Sequence, residues 1–357
     1  MKLTFDVPDP KKIRLIVNSD AKNEADDQYA IVHALLTPQF IVKGLIGAHF
    51  GEERSTTSML DSVKEIELLL DLMGLSGEYS VLCGAERALQ DERTPALSEG
   101  AELIVREAMS DDQRPLFVIF LGAITDLVAA YLMNPAIADR LTAVWIGGGA
   151  WPDGGAEFNL GNDIHAANVV FSSPIPLWQI PRNVYSKMRV SIAELNRRVE
   201  PCGPIGRYLY HQLLETNQKW ANNPDWPRGE MWTLGDSPAV GLLMHDQPYD
   251  YDLKPAPRIS PDMTYVHYQT ERRIRVYRDI DVRFILEDMY AKLELFSMRC
   301  VKFGDRIMKP IKVLISKLQF PGRRRFSSDI INRLGTICIV IYTSAKNVVC
   351  QPIPIGL

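Results

Sequence analysis

Asn18-Ser19-Asp20-Ala21-Lys22-Asn23-Glu24-Ala25-Asp26-Asp27-Gln28-Tyr29-Ala30-Ile31 places four carboxylates within eight residues. The apolar run 13–17 precedes this stretch and the periodic run 29–36 follows it. Apolar run, polar loop and 3.6-residue periodicity read as a buried strand, a loop and a helix. Acids packed at such a junction repel one another unless a cation sits among them, and hard oxygen ligands at this density suit Ca²⁺ or Mg²⁺ better than a transition metal. The plainer reading is a helix start decorated with acids, which cap amides and favour the macrodipole. That accounts for Asp26 and for Glu24. It does not account for Asp20, at the very end of the strand.

Outward from this stretch, short apolar runs at 13–17, 42–47, 79–82, 116–121, 143–146 and 176–180 alternate with helical patterns at 26–36, 55–73, 99–109, 123–133 and 163–171. Alternation of strands apolar on both faces with helices predicts an α/β fold, with a mainly parallel, Rossmann-like central sheet covered by helices on both faces. Ligands of such sheets bind beyond the carboxyl ends of the strands. Asp20, His49, Glu52, Thr125 and the glycines 147–149 all follow strands and open onto that rim. Beyond residue 200 the pattern turns helical, at 203–221 and 236–244, around a Trp/Pro-rich loop at 222–232. Strand-like pieces at 264–268 and 273–277 precede an amphipathic helix at 282–296.

The chain has 357 residues, 46% hydrophobic and 24% charged, with a net charge of -4. That composition suits a globular chain and offers no single-sign surplus for nucleic acid. The first residues lack the apolar core of a signal peptide, and no apolar run reaches membrane-spanning length. Five scattered cysteines without ligand spacing argue against a disulfide framework or a zinc site, so a reducing cytoplasm is the expected compartment. After residue 297 eleven basic residues face two acids. The expected organisation is therefore a catalytic domain over 1–297 and a basic tail over 298–357. The tail's apolar, β-branched segment 336–342 is strand-like.

Four further segments are candidates for chemistry. The turn 121–126 presents the backbone of Thr125 at the rim. The triplet Gly147-Gly148-Gly149 leaves bare backbone for close approach by a ligand. Glu157, Asn159 and Asn162 precede a helix, and Asp236 stands at another helix start with Pro238 in its first turn. Taken singly, each has an ordinary explanation: the glycines a turn, Asn162 or Asp163 the cap of the helix that follows, and Asp236 the cap of its own. None of the six histidines has HxxxH or HExxH spacing, and His49 alone sits at a strand end.

In this order, these segments resemble the inosine-uridine-preferring nucleoside hydrolase family over about residues 11–297. Asp20, Asp26 and Asp27 match its aspartate signature. The glycine turn, the Ala156-Glu157-Phe158-Asn159 element and the late Asp236 match as well. Asn18 replaces the signature's first aspartate, the loop is two residues longer, and Gly235 stands where some members carry a leaving-group histidine. Glu52 falls where many members place a ribose-binding asparagine.

The resemblance implies Ca²⁺ held by Asp20, Asp27, the carbonyl of Thr125 and Asp236, with ribose hydroxyls and a water completing the shell. It implies Asp20 as general base, Asp26 on a ribose hydroxyl, and Glu157 and Asn159 on the 5′ side. The expected reaction is hydrolysis of the N-glycosidic bond of ribonucleosides to free base and ribose, a salvage reaction, in a homodimer or homotetramer. With Gly235 bare, His49, Trp226, Trp232 and Tyr185 are candidates around the base. Hydrolysis of another ribosyl or sugar compound, or metal-dependent sugar binding without turnover, are the competing expectations.

Overall fold

The structure is a computed structural model and describes residues 5–298 apart from 225 and 246–248. The strands β1 (Ile13–Ser19), β2 (Phe40–Gly47), β3 (Val81–Cys83), β4 (Leu116–Phe120), β5 (Thr142–Ile146) and β6 (Leu177–Ile180) lie parallel in the order β3-β2-β1-β4-β5-β6. Arg273–Tyr277 continues the sheet parallel to β6. Tyr251–Pro255 closes the edge antiparallel to it. The α/β expectation holds, and each of the six expected inner strands is present within a few residues. The antiparallel edge strand had no counterpart in the sequence reading.

Why these residues form this sheet is plain in β1. All seven are buried, with Leu15 and Val17 entering one apolar core and Ile16 the opposite one. Each fully buried aliphatic side chain contributes about 2 kcal/mol. Two covered faces therefore select a continuous apolar run rather than an alternating one. The β1–β2 register slips between Leu15 and Ile16, so Lys43 has no β1 partner and its ammonium reaches Glu107 at 3.5 Å. Helices α1 (Asp27–Leu35), α2 (Ser58–Leu72), α3 (Glu99–Ala108) and α4 (Thr125–Met133) fill the crossovers. Short α5 (Phe158–Asn162) and then α6 (Ile164–Ser172) join β5 to β6.

The strand order reverses between β1 and β4, and loops from both strand ends meet there. This is where a doubly wound sheet places its ligand. Farther on, helices Gly203–Lys219 and Ser237–Met244 and a helix over 282–298 complete the described chain. The expected strand at 264–268 shrinks to Tyr265–Val266, paired with Arg258–Ile259. The expected basic tail and its strand-like segment lie outside the described residues. Among the described residues no helix is long and apolar enough to cross a membrane.

Candidate active site

Three carboxylates converge at the strand-end crevice. One oxygen each from Asp26, Asp27 and Asp236 lies within 4.8 Å of the others, and all three residues are buried. Asp26 is the N-cap of α1, accepting from the Asp27 amide at 3.1 Å. The capping explanation therefore holds for Asp26. It fails for Asp236, which sits at its helix start but makes no side-chain cap bond. Asp163, by contrast, caps α6 by accepting from Ala166 at 2.8 Å.

The long loop that carries these acids is tied down by a buried carboxylate on α2. Glu65 accepts from Gln28 at 3.1 Å, from Tyr208 at 2.5 Å, and pairs with Lys22 at 2.7 Å. Gln28 also donates to the Ala21 carbonyl at 2.5 Å. Ser19, the last residue of β1, donates to Asp27 at 2.6 Å and aims its carboxylate.

Burial and mutual repulsion dominate the electrostatics. Burial, then Asp26, pushes Asp27 up to about 7, and burial lifts Asp26 to about 6. Asp236 and Asp20 are raised well above the ordinary carboxylate range, first by burial and then by the neighbouring aspartates. Asp20 lies against Gly122, where an added Cβ would come within 2.6 Å of its Cγ, so only glycine admits it. Its Oδ2 is buried and has no hydrogen-bond partner. A buried carboxylate oxygen left unsatisfied costs several kcal/mol, on the order of a lost charged hydrogen bond. Oxygen donors, crowded negative charge and an unsatisfied acceptor together fit a hard divalent cation.

The remaining expected residues divide into those near the acids and those elsewhere. Thr125 is buried at the start of α4; its hydroxyl donates to Asp163 at 2.8 Å and lies 2.8 Å from Nε2 of His49. His49 is buried, held neutral with its pKa lowered to about 4 by burial, and its Nδ1 accepts from Gly51. Both ring nitrogens have partners, and Nε2 holds the Thr125 hydroxyl in place. Glu157 accepts from the amides of Gly148, Asn159 and Leu160 and from the Tyr185 hydroxyl, at 2.8 to 3.2 Å. Asn159 spends both N–H groups on carbonyls at the ends of β4 and β5, Leu121 at 2.7 Å and Ile146 at 2.9 Å.

Trp232 is placed otherwise than expected, and Glu52 remains an expectation. Glu52 is exposed in the loop after β2. Trp232 is 1% exposed in the core, in the strand Met231–Thr233, because it packs beneath Trp226 (5.4 Å, 18° between planes) instead of lining the rim. The sequence reading missed Arg54, whose guanidinium lies 4.3 Å from the centre of the Phe158 ring and beside Trp220 and Trp226. No local signal marks it, since those rings are remote in the chain.

Comparison with known proteins places the chain in a family. The sequence profile of the inosine-uridine preferring nucleoside hydrolases matches residues 15–287, which contain every acid of the cluster. The chain belongs to that family. A pyrimidine-specific ribonucleoside hydrolase, RihA of Salmonella typhimurium, is 24% identical over 226 residues, covering 56% of this chain and 70% of the relative. Among solved structures, a purine-preferring ribonucleoside hydrolase from Gardnerella vaginalis superposes with a TM-score of 0.67 at 18% identity, covering 80% of this chain and 99% of that one. An inosine-uridine preferring nucleoside hydrolase from Bacillus anthracis gives 0.56 at 14% identity, covering 79% and 99%. The nucleoside hydrolase is thus an N-glycosidase acting on ribonucleosides, on an α/β scaffold, with an acidic cluster able to hold a metal.

Proposed function

We propose that this nucleoside hydrolase works with Ca²⁺, held by Asp20, Asp27, Asp236 and the carbonyl of Thr125. The observation that carries the reading is the convergence of Asp26, Asp27 and Asp236 beside the unpartnered Oδ2 of Asp20. Ca²⁺ accepts about six to eight oxygens, mixing carboxylates, carbonyls, hydroxyls and water, and when bound it would make a water acidic enough to attack near neutral pH.

Asp20 takes the proton of the attacking water, and its raised proton affinity suits a general base. Asp26 accepts from a ribose hydroxyl. Glu157 and Asn159 frame the 5′ side, where a hydroxyl meets carboxylate oxygens already fixed by backbone amides. The sugar gains oxocarbenium character as the bond to the base lengthens, and buried carboxylates stabilise that positive charge without reorganising.

A reducing-sugar assay over a nucleoside panel, with and without exhaustive chelation, tests this reading. Calcium-restored release of ribose is expected. Turnover that survives in protein shown by elemental analysis to be metal-free overturns it.

A further inference from the structure

Four donors hold the carboxylate of Glu157. Its Oε2 accepts from the amides of Gly148 and Leu160, each at 2.8 Å. Its Oε1 accepts from the amide of Asn159 at 3.2 Å and from the Tyr185 hydroxyl at 2.9 Å. A carboxylate has about four lone-pair positions, so this one is full. Asn159 has likewise spent both side-chain N–H groups, on the carbonyls of Leu121 and Ile146. A 5′-hydroxyl arriving on this side of the crevice meets no free lone pair on Glu157 and no free N–H on the Asn159 side chain.

Of the four bonds, the one from Tyr185 alone is made by a side chain. The amides belong to the glycine turn after β5 and to α5, whose N-cap is Glu157, so they are fixed by the backbone. Tyr185 ends the short helix Arg182–Tyr185 that follows β6. A Cβ added to Gly235 would come 3.0 Å from its ring and 3.2 Å from Oδ2 of Asp26. The bare Gly235 thus lets the Tyr185 ring stand beside Asp26 while its hydroxyl reaches Glu157. Burial, then the charge of Glu157, raises the phenol well above its usual range, so it keeps its proton and donates.

We propose that Tyr185 reads the 5′ position of the sugar and stands in for the 5′-hydroxyl when a ligand has none, so that the protein accepts 5′-deoxy ribonucleosides alongside ribonucleosides. These carry a methyl group in place of the 5′-hydroxymethyl. The inference rests on the nucleoside hydrolysis reading above. With a ribonucleoside, O5′ inserts between the two side chains, donating to Oε1 of Glu157 and accepting from Tyr185. One bond is exchanged for two, and the net gain of one hydrogen bond is about tenfold in affinity or less. With a 5′-deoxy ligand the bond from Tyr185 to Glu157 stays closed, and no buried oxygen is stranded. A carboxylate waiting with an open lone pair would reject the same ligand far more strongly, because its charge would be left unpaired.

The test measures kcat/KM of the calcium-loaded protein on each ribonucleoside it cleaves and on the 5′-deoxy counterpart with the same base, so that effects at the base cancel. In the wild type the ratio of the two should be about tenfold or less. Tyr185→Phe, checked for a native melting temperature, removes the stand-in and leaves Oε1 short of a donor whenever O5′ is absent. Its ratio should rise to about 100-fold, since a lost bond to a charged group now adds to the difference. Disturbed packing would lower both substrates equally and leave the ratio alone. Wild-type rejection of the 5′-deoxy compound by about 100-fold or more, which needs no variant, overturns this role of Tyr185. A ratio that Tyr185→Phe leaves unchanged does the same. Wild-type protein that cleaves no ribonucleoside overturns the hydrolysis reading instead.

Discussion

Asn18 donates from Nδ2 to Oδ2 of Asp126 across 2.8 Å, and both side chains are buried. The pair links β1 to α4. Asp126 also accepts from Ser98 at 2.6 Å and from the Ala85 amide at 2.8 Å, so its charge is well solvated by protein. Burial still raises its pKa. A second carboxylate at position 18 would face it with no donor between them.

Asn18→Asp is therefore expected to destabilise the protein by about 3 kcal/mol near pH 8, the cost of an uncompensated buried charge. A carboxyl held above its unfolded pKa stabilises the fold below that unfolded value, and the contribution is lost as pH rises through the folded pKa. The loss should accordingly shrink towards pH 5, where the two carboxyls share a proton. Urea unfolding at both pH values checks this; an equal loss at each would show that charge is not the cause.

The metal reading makes a sharper demand on Asp27 and Asp236. Alanine at either should abolish calcium retention and reduce turnover by about a thousandfold or more, since ligands act as a unit. Asp20→Asn should instead cost about 10²- to 10⁴-fold in kcat, the usual range for a general base. Calcium content by elemental analysis, measured beside kcat, separates the two. Wild-type calcium in Asp236→Ala would remove that residue from the site.

Proton release should accompany calcium binding. Asp26 and Asp27 are pushed up to about 6 and about 7 by burial, with Asp26 adding to the effect on Asp27. Both are raised, so in the metal-free protein their protonated forms stabilise the fold below about pH 4, and this contribution is lost as pH rises through 6 and 7. A cation must displace those protons, so calcium affinity should fall about tenfold per pH unit for each proton released below that range. Calorimetry in buffers of different ionisation enthalpy would count the protons; a count of zero at pH 6 contradicts the picture.

Much of this arrangement was legible in the chain because parallel strands buried on both faces leave continuous apolar runs. Asp20 was legible for the same reason: a carboxylate closing a buried strand has no ordinary explanation. Asp236 was not legible alone, since capping residues and metal ligands are the same residue types, and only its missing cap bond separates them. Trp232 was misplaced because a loop's composition does not say which residues face inward. Tyr251–Pro255 escaped notice because an antiparallel edge strand with half-buried residues and a terminal proline carries no apolar run. Arg54 gains meaning only from rings more than a hundred residues away.

Away from the crevice, the helix over 282–298 is pinned to α1 by a charged knot with its own consequence. Asp288 accepts from His33 at 2.7 Å and from Lys292 at 2.5 Å, and Lys292 also donates to Thr37 at 2.9 Å. Burial lowers His33 to about 4, so it is neutral and donates from Nε2, while Lys292 is buried with its ammonium compensated, among the described residues, by Asp288 alone. Asp288→Asn leaves that ammonium without a counter-charge and should cost about 3 kcal/mol. Adding Lys292→Met removes the stranded charge and fills the same space, so the double variant should recover to within about 1 kcal/mol of wild type. Chemical denaturation of the three variants tests the knot. If Lys292→Met fails to rescue Asp288→Asn, the destabilisation comes from lost hydrogen bonds to His33 and not from an uncompensated ammonium.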